Sequence, residues 1–313
     1  MFVKGSFRVI LNVHSLNTEG AVGNYNPLVK VYVIRRTEGG FDLAEVNAIS
    51  GNMLKHWHAK HVAELAKTVN EKLCEDCRRG VFYRTRLKDK ATNEESMIKE
   101  CILDDLHGFL CAETTVKRES LIKVSFAIPV EEHSYEVVPV THNRVVIDEK
   151  GKIAKEGMMP FKNEYASGVY AFAISMELKY VGIPLANPIK PVIEEESIRQ
   201  RRIVAVQALA NMLLGETGAK LSRALPISKP VEAFIVVSEK PIPAPIHAYY
   251  TGYAIESLKM YEGLVDEGLL SKEDFEIHLY PKTLASEFTS EKITVKRHES
   301  IGELLKAIIQ KVS

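Results

Sequence analysis

Apolar and polar positions alternate through residues 3 to 13, with Val3, Phe7, Val9, Leu11 and Val13 on one face and Lys4, Ser6, Arg8 and Asn12 on the other. A period of two with one apolar face predicts a half-buried β-strand. From residue 52 to 69 the period changes. Leu54, Trp57, His61, Val62 and Leu65 fall at helical spacing behind Ser50, a residue suited to cap an amphipathic helix. Period two returns over 119–129, through Ile122, Val124, Phe126 and Ile128 to Pro129. It returns again over 168–180, where Tyr170, Phe172, Ile174, Met176, Leu178 and Tyr180 share a face. A second helix is predicted from Glu194 to Leu214, with Ile198, Ala205, Leu209 and Met212 on its buried stripe and Gly215 as its C-terminal cap. A short β-branched strand over 231–238 completes the series.

The order β-α-β-β-α-β predicts an α+β fold of the ferredoxin-like, split βαβ kind, an arrangement also used by RNA-recognition modules. The connections exceed those of a minimal module: residues 14–51, 70–118, 130–167 and 239–313 are all longer than ordinary loops, and connections of that length are usually functional or disordered. Alternating runs such as Tyr135-Glu136-Val137-Val138-Pro139-Val140 predict a β-hairpin excursion over 130–167, and 70–118 reads as a helical insertion. The run Pro241-Ile242-Pro243-Ala244-Pro245 reads as a stiff linker into further helices and a strand. The chain therefore divides into a core over 1–240, carrying insertions at 14–51, 70–118 and 130–167, and a C-terminal extension over 241–313 packed on it.

With 313 residues, 46% hydrophobic and 26% charged, the chain can bury a sizeable core. No run approaches the roughly 18 apolar residues of a membrane span, and Met1-Phe2-Val3-Lys4-Gly5-Ser6 lacks the apolar centre of a signal peptide, so a cytoplasmic location is expected. A formal net charge of zero argues against a nucleic-acid binder, which usually carries surplus Lys and Arg. The charges are segregated, however. Arg78, Arg79, Arg84, Arg86, Lys88 and Lys90 stand against Asp89, while residues 256–276 hold seven acids against Lys259 and Lys272. Such segregation permits a basic groove on a neutral protein, and it equally describes solvated faces.

Two small-residue segments carry the most specific chemistry. Ser15-Leu16-Asn17-Thr18-Glu19-Gly20-Ala21-Val22-Gly23-Asn24 follows the first strand, and Ile49-Ser50-Gly51-Asn52-Met53-Leu54-Lys55-His56-Trp57-His58 opens the first helix. Glycines admit close approach of a ligand to the backbone, Asn offers donors and acceptors, and a helix start presents free N–H groups to anions. Ordinary loops with a helix N-cap use the same residues. Lys220 and Arg223 lie in a loop opened by Gly215 and Gly218, where two cations can clasp a phosphate. The loop follows a helix, so it is not the Walker phosphate loop, which runs from a strand into one. The second face of the 168–180 strand offers only Val169, Ala171, Ala173 and Ser175, without aromatics to stack bases. RNA, if bound, would be held by loops and insertions through phosphate and sugar contacts, which carry little sequence information.

His56, His58 and His61 crowd one helix without the H-E-x-x-H spacing of a zinc protease, and Trp57 reads as core. The four cysteines, Cys74, Cys77, Cys101 and Cys111, all fall in the second insertion, and Cys74-Glu75-Asp76-Cys77 has the spacing of a metal knuckle. In a cytoplasmic protein a structural Zn²⁺ is the better expectation than disulfides, with Cys101 as third ligand and Cys111 or His107 as fourth. The alternative is four unlinked thiols stabilising the insertion by burial. No nucleophile, base and orienting acid can be assembled from the sequence, so neither enzymatic activity nor a required cofactor is expected.

The two small-residue segments, SLNTEGAVGNYN and AISGNMLKHWH, are followed in order by Asp104-Asp105-Leu106-His107-Gly108-Phe109-Leu110, Val116-Lys117-Arg118 and Gly218-Ala219-Lys220-Leu221-Ser222-Arg223-Ala224-Leu225-Pro226. This set resembles the CRISPR-associated DevR-like/Csa family, the Cas7-type subunit that polymerises along the guide RNA as the backbone of archaeal type I-A Cascade. The resemblance covers residues from about 1 to 230 and leaves the last eighty or so unplaced. It implies a modified RNA-recognition core, a thumb over 130–167 that folds over the RNA, and a protein that binds and protects the guide without cutting it. It implies CRISPR guide RNA, further copies head to tail, other Cascade subunits and, through the guide, target DNA as partners. The residues that would fix the guide are then Asn17, Gly20, Gly23 and Asn24 in the first loop, and Ser50, Asn52, Lys55 and His56 at the helix start. Lys117 and Arg118, the Lys220 and Arg223 loop, and His142, with Asn143 and Arg144, in the thumb complete the set. The histidines and cysteines leave a rival reading, a metal-dependent RNA-processing nuclease, and a third, weaker one is a regulator acting on DNA.

Overall fold

The computed structural model describes residues 1–82, 93–147, 149–215 and 217–313, with the backbone alone over 144–146 and 153–159. Of the basic run, Arg84, Arg86, Lys88 and Lys90 lie outside the described residues together with Asp89, as does the Arg144 side chain. Arg78 and Arg79 are exposed at the end of a short helix.

Strand β1 (Phe2–His14) leads through β2 (Tyr25–Asn26) and a hairpin of β3 (Lys30–Thr37) and β4 (Gly40–Asn47) into helix α1 (Gly51–Thr68). The helical insertion holds α2 (Glu75–Arg78), α3 (Glu94–Glu100) and α4 (Ile102–His107), followed by the two-residue strands β5 (Phe109–Leu110) and β6 (Lys117–Arg118). Then come β7 (Ile122–Val124), β8 (Ile128–Pro129), β9 (Glu136–Ile147) and the long β10 (Ile153–Met176). Helix α5 (Glu195–Leu213) and β11 (Ile227–Ser238) precede a C-terminal part made of α6 (Tyr253–Asp266), β12 (Phe275–Tyr280), β13 (Val295–Arg297) and α7 (Ile301–Val312).

The fold is α+β. The main sheet runs β13-β12-β11-β1-β10, with β7 and β8 on the far edge of β10. β1 is antiparallel to both its neighbours, Phe7 standing opposite Phe172 of β10 and Ala233 of β11. β9 pairs with the outer half of β10 from Glu136 opposite Ser167 to Ile147 opposite Ile153, so β9 and β10 pair as a hairpin whose second strand enters the sheet.

One face of the sheet, with Phe7, Val9, Tyr170, Phe172 and Ile235, packs under Leu54 and Val62 of α1, Val204 and Leu209 of α5, and Leu304 and Ile308 of α7. The other face carries Ala171, Phe234 and Val236 and is covered by Tyr249 and by Tyr253, Leu258 and Tyr261 of α6. This second layer changes the reading of β1. Ser6 and Arg8, on the face expected to meet solvent, are buried. Ser6 Oγ accepts from Ala248 N at 2.7 Å, while Arg8 donates to the carbonyls of Ala248 and Tyr250 and pairs with Glu132 and Glu232. Burying a guanidinium is tolerated only with such a full set of acceptors.

Other differences have local causes. The β1–β10 register shifts between Leu11 and His14, Val13 sits at φ 48°, and His14 is buried where alternation had placed Val13. This is a β-bulge, one extra residue that reverses the faces beyond it. The expected strand over 119–129 is interrupted because Ala127 leaves β10 and pairs with Ile49, just before α1. Leu178 and Tyr180 belong to a 3₁₀ turn rather than to the third strand. The Pro241–Pro245 run lies against the domain, with Ile242 buried and the Pro243 carbonyl accepting from Tyr261 Oη. Among the described residues no helix is long and apolar enough to cross a membrane.

Candidate nucleic-acid interface

The two small-residue segments meet through side chains. Ser50 caps α1 by accepting from Met53 N at 3.2 Å, and Asn17 Oδ1 accepts from both Ser50 N (3.2 Å) and Ser50 Oγ (2.5 Å). The Asn17 carbonyl takes Val29 N. Asn17 thus holds the first loop onto the helix start, and its amide oxygen is engaged within the protein. Gly20 and Gly23, at φ 131° and 59°, turn an exposed loop with open space around both. Its far end is fastened to β10: the Asn24 carbonyl accepts from Lys162 N, and Glu164 takes Tyr25 Oη and Leu28 N.

The loop after α5 is tied to the same place. Buried His14 donates from Nε2 to the Thr217 carbonyl at 2.7 Å and accepts from Leu16 N at Nδ1, which fixes one neutral tautomer, and burial lowers its pKa. Lys220 N donates to Ser15 Oγ, and Lys220 Nζ reaches Asn163 Oδ1, which also accepts from Asn26 Nδ2. The exposed Arg223 guanidinium lies 5.6 Å from the centre of the Phe161 ring. His142, opposite Phe161 on β9, stacks on that same ring at 5.3 Å, and its Nε2 meets Tyr165 Oη at 3.1 Å. Burial and then the neighbouring Arg223 lower the pKa of Lys220. Two cations held this close create a local field that favours an anion, although the whole chain is neutral.

Lys220, Arg223 and His142 therefore converge at the root of the β9–β10 hairpin, beside the Gly20–Asn24 loop. Phe161, Asn163 and Tyr165, which organise the patch, have no place among the residues expected from sequence. Their alternation along β10 puts all three on one face, and that period is the signal that could have found them.

A second group sits at the start of α1. Asn52, Lys55 and His56 line a cleft of about 390 Å³ facing Phe82, Phe109 and Leu110. Lys117 is exposed on β6 nearby. Arg118 also borders this cleft, but its charged end turns away from it. Its guanidinium is buried and donates to Glu94 Oε1 and Asp105 Oδ1, both at 2.7 Å, and to the carbonyls of Asp105, Tyr180 and Ile183. With every donor engaged inside the fold, Arg118 has none for a phosphate, and its expected RNA contact is replaced by a structural role.

Residues 5–258 match the model of the family described as CRISPR-associated negative auto-regulator DevR/Csa2. The chain belongs to the DevR/Csa2 family. It is 39% identical over 297 residues to a Methanocaldococcus jannaschii protein described as CRISPR-associated protein Cas7/Cst2/DevR, covering 88% of this chain and 92% of that one. A Thermoproteus tenax protein of the same description is 35% identical over 273 residues, covering 83% and 81%. A Saccharolobus solfataricus protein described as CRISPR-associated aCascade subunit Cas7/Csa2 2 is 26% identical over 269 residues, covering 78% and 82%. Among solved structures, chains of a CRISPR RNA-guided surveillance complex align over their whole length with TM-scores of 0.52 and 0.55 at 14% and 13% identity, a likeness of fold.

The DevR/Csa2 match ends inside α6, so β12, β13 and α7 lie beyond it. Within it, three of the four cysteines cluster: the sulfurs of Cys74, Cys77 and Cys101 all lie within 4.8 Å of one another and are buried. Hydrogen bonds from the Cys74 and Cys77 thiols, then burial and the nearby Asp104, push the Cys101 thiol well above its ordinary pKa. Cys111 stands apart, correcting the expected four-cysteine set. It lies past the Gly108 turn, pairs its backbone with Val116 and packs with Met97 and Phe109. His107 turns instead toward α1, its Nε2 2.9 Å from His58 Nδ1.

Proposed function

We propose that this DevR/Csa2 chain is a non-catalytic, CRISPR RNA-binding backbone subunit of a type I Cascade complex, acting in the cytoplasm for antiviral defence. Copies associate head to tail along one guide RNA, with other Cascade subunits, and the guide pairs with target DNA. The observation that carries this reading is the convergence of Lys220, Arg223 and His142 at the hairpin root, next to the open Gly20–Asn24 loop. Cations there neutralise phosphates, and the exposed loop admits backbone close to the strand. The aCascade name of a Saccharolobus solfataricus relative supports the assembly.

The core reads as a modified RNA-recognition fold over 1–240 with the remaining residues as an extension. Supporting this, β1, α1, β7/β8, β10, α5 and β11 follow in chain order and lie side by side as β11-β1-β10-β7/β8, the split βαβ arrangement. The sheet face that such modules use for base stacking is covered by α6 and Tyr249. RNA is therefore held at loops and at the β9–β10 hairpin, which acts as the thumb, and the protein reads the shape of the strand while base pairing reads its sequence.

The test is to recover and sequence nucleic acid from the purified protein, then to measure binding of guide-length RNAs across salt. Guide-length CRISPR transcripts are expected. Lys220→Ala with Arg223→Ala weakens binding equally for all sequences, and the salt slope falls by about 0.7 for each phosphate the protein no longer neutralises. A loss confined to particular sequences, or cleavage of repeat RNA abolished by His56→Ala, overturns the reading.

A further inference from the structure

Three thiols meet in the helical insertion from two stretches of chain. Cys74 precedes α2 and Cys77 lies on it, whereas Cys101 stands at the joint between α3 and α4. Their sulfurs all lie within 4.8 Å of one another. Three thiolates bound to a tetrahedral Zn²⁺ at about 2.3 Å stand about 3.8 Å apart, so the cluster needs only a small contraction to hold one.

A metal would add to the ties these elements already have, such as Ile102 N donating to the Lys72 carbonyl. α2, α3 and α4 are 4, 7 and 6 residues long, too short to be stable from their own helical bonds. Arg118, Glu94 and Asp105 tie α3 and α4 to the body of the protein, but α2 has no part in that network. A metal shared by Cys74, Cys77 and Cys101 would join α2 to the α3–α4 corner.

We propose that Cys74, Cys77 and Cys101 bind one structural Zn²⁺ as thiolates. Three S–Zn bonds form, three thiol protons pass to solvent and the ion sheds the waters they replace. Cys111 takes no part.

The test uses the full chain, produced in zinc-supplemented medium, purified under reductant and measured for metal and free thiol. About one Zn²⁺ per chain is expected. Replacement by Co²⁺ gives the thiolate charge-transfer absorption of a tetrahedral site, which Cys101→Ser loses and Cys111→Ser keeps. Cys111 is equally buried, so it controls for damage to packing. In the wild type, removing the metal with a chelator lowers the melting temperature and adding Zn²⁺ restores it. Absence of metal after zinc-replete production, retention of it by Cys101→Ser, or a Cys74–Cys77 disulfide in the reduced preparation overturns the proposal.

Discussion

Five N–H donors on the Arg118 guanidinium meet five acceptors, and two of them are carboxylate oxygens with further duties. Asp105 also receives Arg201 Nη1 and Gly182 N, while Glu94 receives Leu185 N and Ala186 N. Removing the guanidinium leaves buried Glu94 without its cation and Asp105 with Arg201 alone, a loss of about 3–5 kcal/mol. Arg118→Met is therefore expected to lower the unfolding free energy in urea by that amount while the folded fraction still binds RNA. Lys117→Ala, one residue away but exposed, should stay within about 0.5 kcal/mol of wild type. An unchanged urea midpoint for Arg118→Met, with RNA binding abolished, would return Arg118 to the interface. In sequence the two residues look alike. Alternation along β6 sends one outward and one inward, but a strand of two residues leaves no period to read.

The start of α1 is set as much by space as by capping. A Cβ on Gly51 would stand 2.6 Å from the Val124 carbonyl oxygen of β7, a backbone atom with little freedom to move. Gly263, inside α6, has nothing within 4 Å of the same position. Helix propensity favours Ala at both sites by up to about 1 kcal/mol, so the clash decides the sign. Gly51→Ala should lower the melting temperature and Gly263→Ala should raise it. A rise in both would mean that α1 is not pressed against β7. Helices α1 and α5 were legible because each carries an apolar stripe turned to the core, and β11 because a strand buried on both faces, Ile235 on one and Phe234 and Val236 on the other, reads as a β-branched apolar run. β1 was only half legible. Its alternation distinguishes two faces, but the second is buried by residues 246–261, whose contacts with Ser6 and Arg8 span 240 and 242 residues of sequence. The patch at the hairpin root was legible through its cations and not through Phe161 and Tyr165, whose face is defined only once β9 and β10 pair.

At the scale of the molecule, the C-terminal part extends the sheet through β12 and covers it through α6, and the chain reaching that cover passes through His247. His247 Nδ1 accepts from Tyr249 N, which leaves Nε2 to donate to Ser125 Oγ at 3.0 Å. Ser125 Oγ in turn donates to the Phe126 carbonyl and accepts from Ala173 N of β10. The chain of bonds runs from the covering segment into the sheet and requires neutral imidazole, because a proton on Nδ1 would face the Tyr249 N–H. Burial lowers the His247 pKa from 6.5 to about 4. Above pH 6.5 the group is neutral in both folded and unfolded chains and gives no pH dependence. Between 6.5 and 4 the unfolded chain takes up the proton and the folded one resists it, so stability falls as pH falls, by at most roughly 3 kcal/mol from this group. Comparing wild type with His247→Asn by urea unfolding at pH 7, 6, 5 and 4.5 isolates the contribution, since other histidines and the carboxylates are common to both. The variant should be less stable at pH 7 and lose less on acidification. Parallel curves for the two proteins would mean that the proton enters His247 without opening the cover over the sheet.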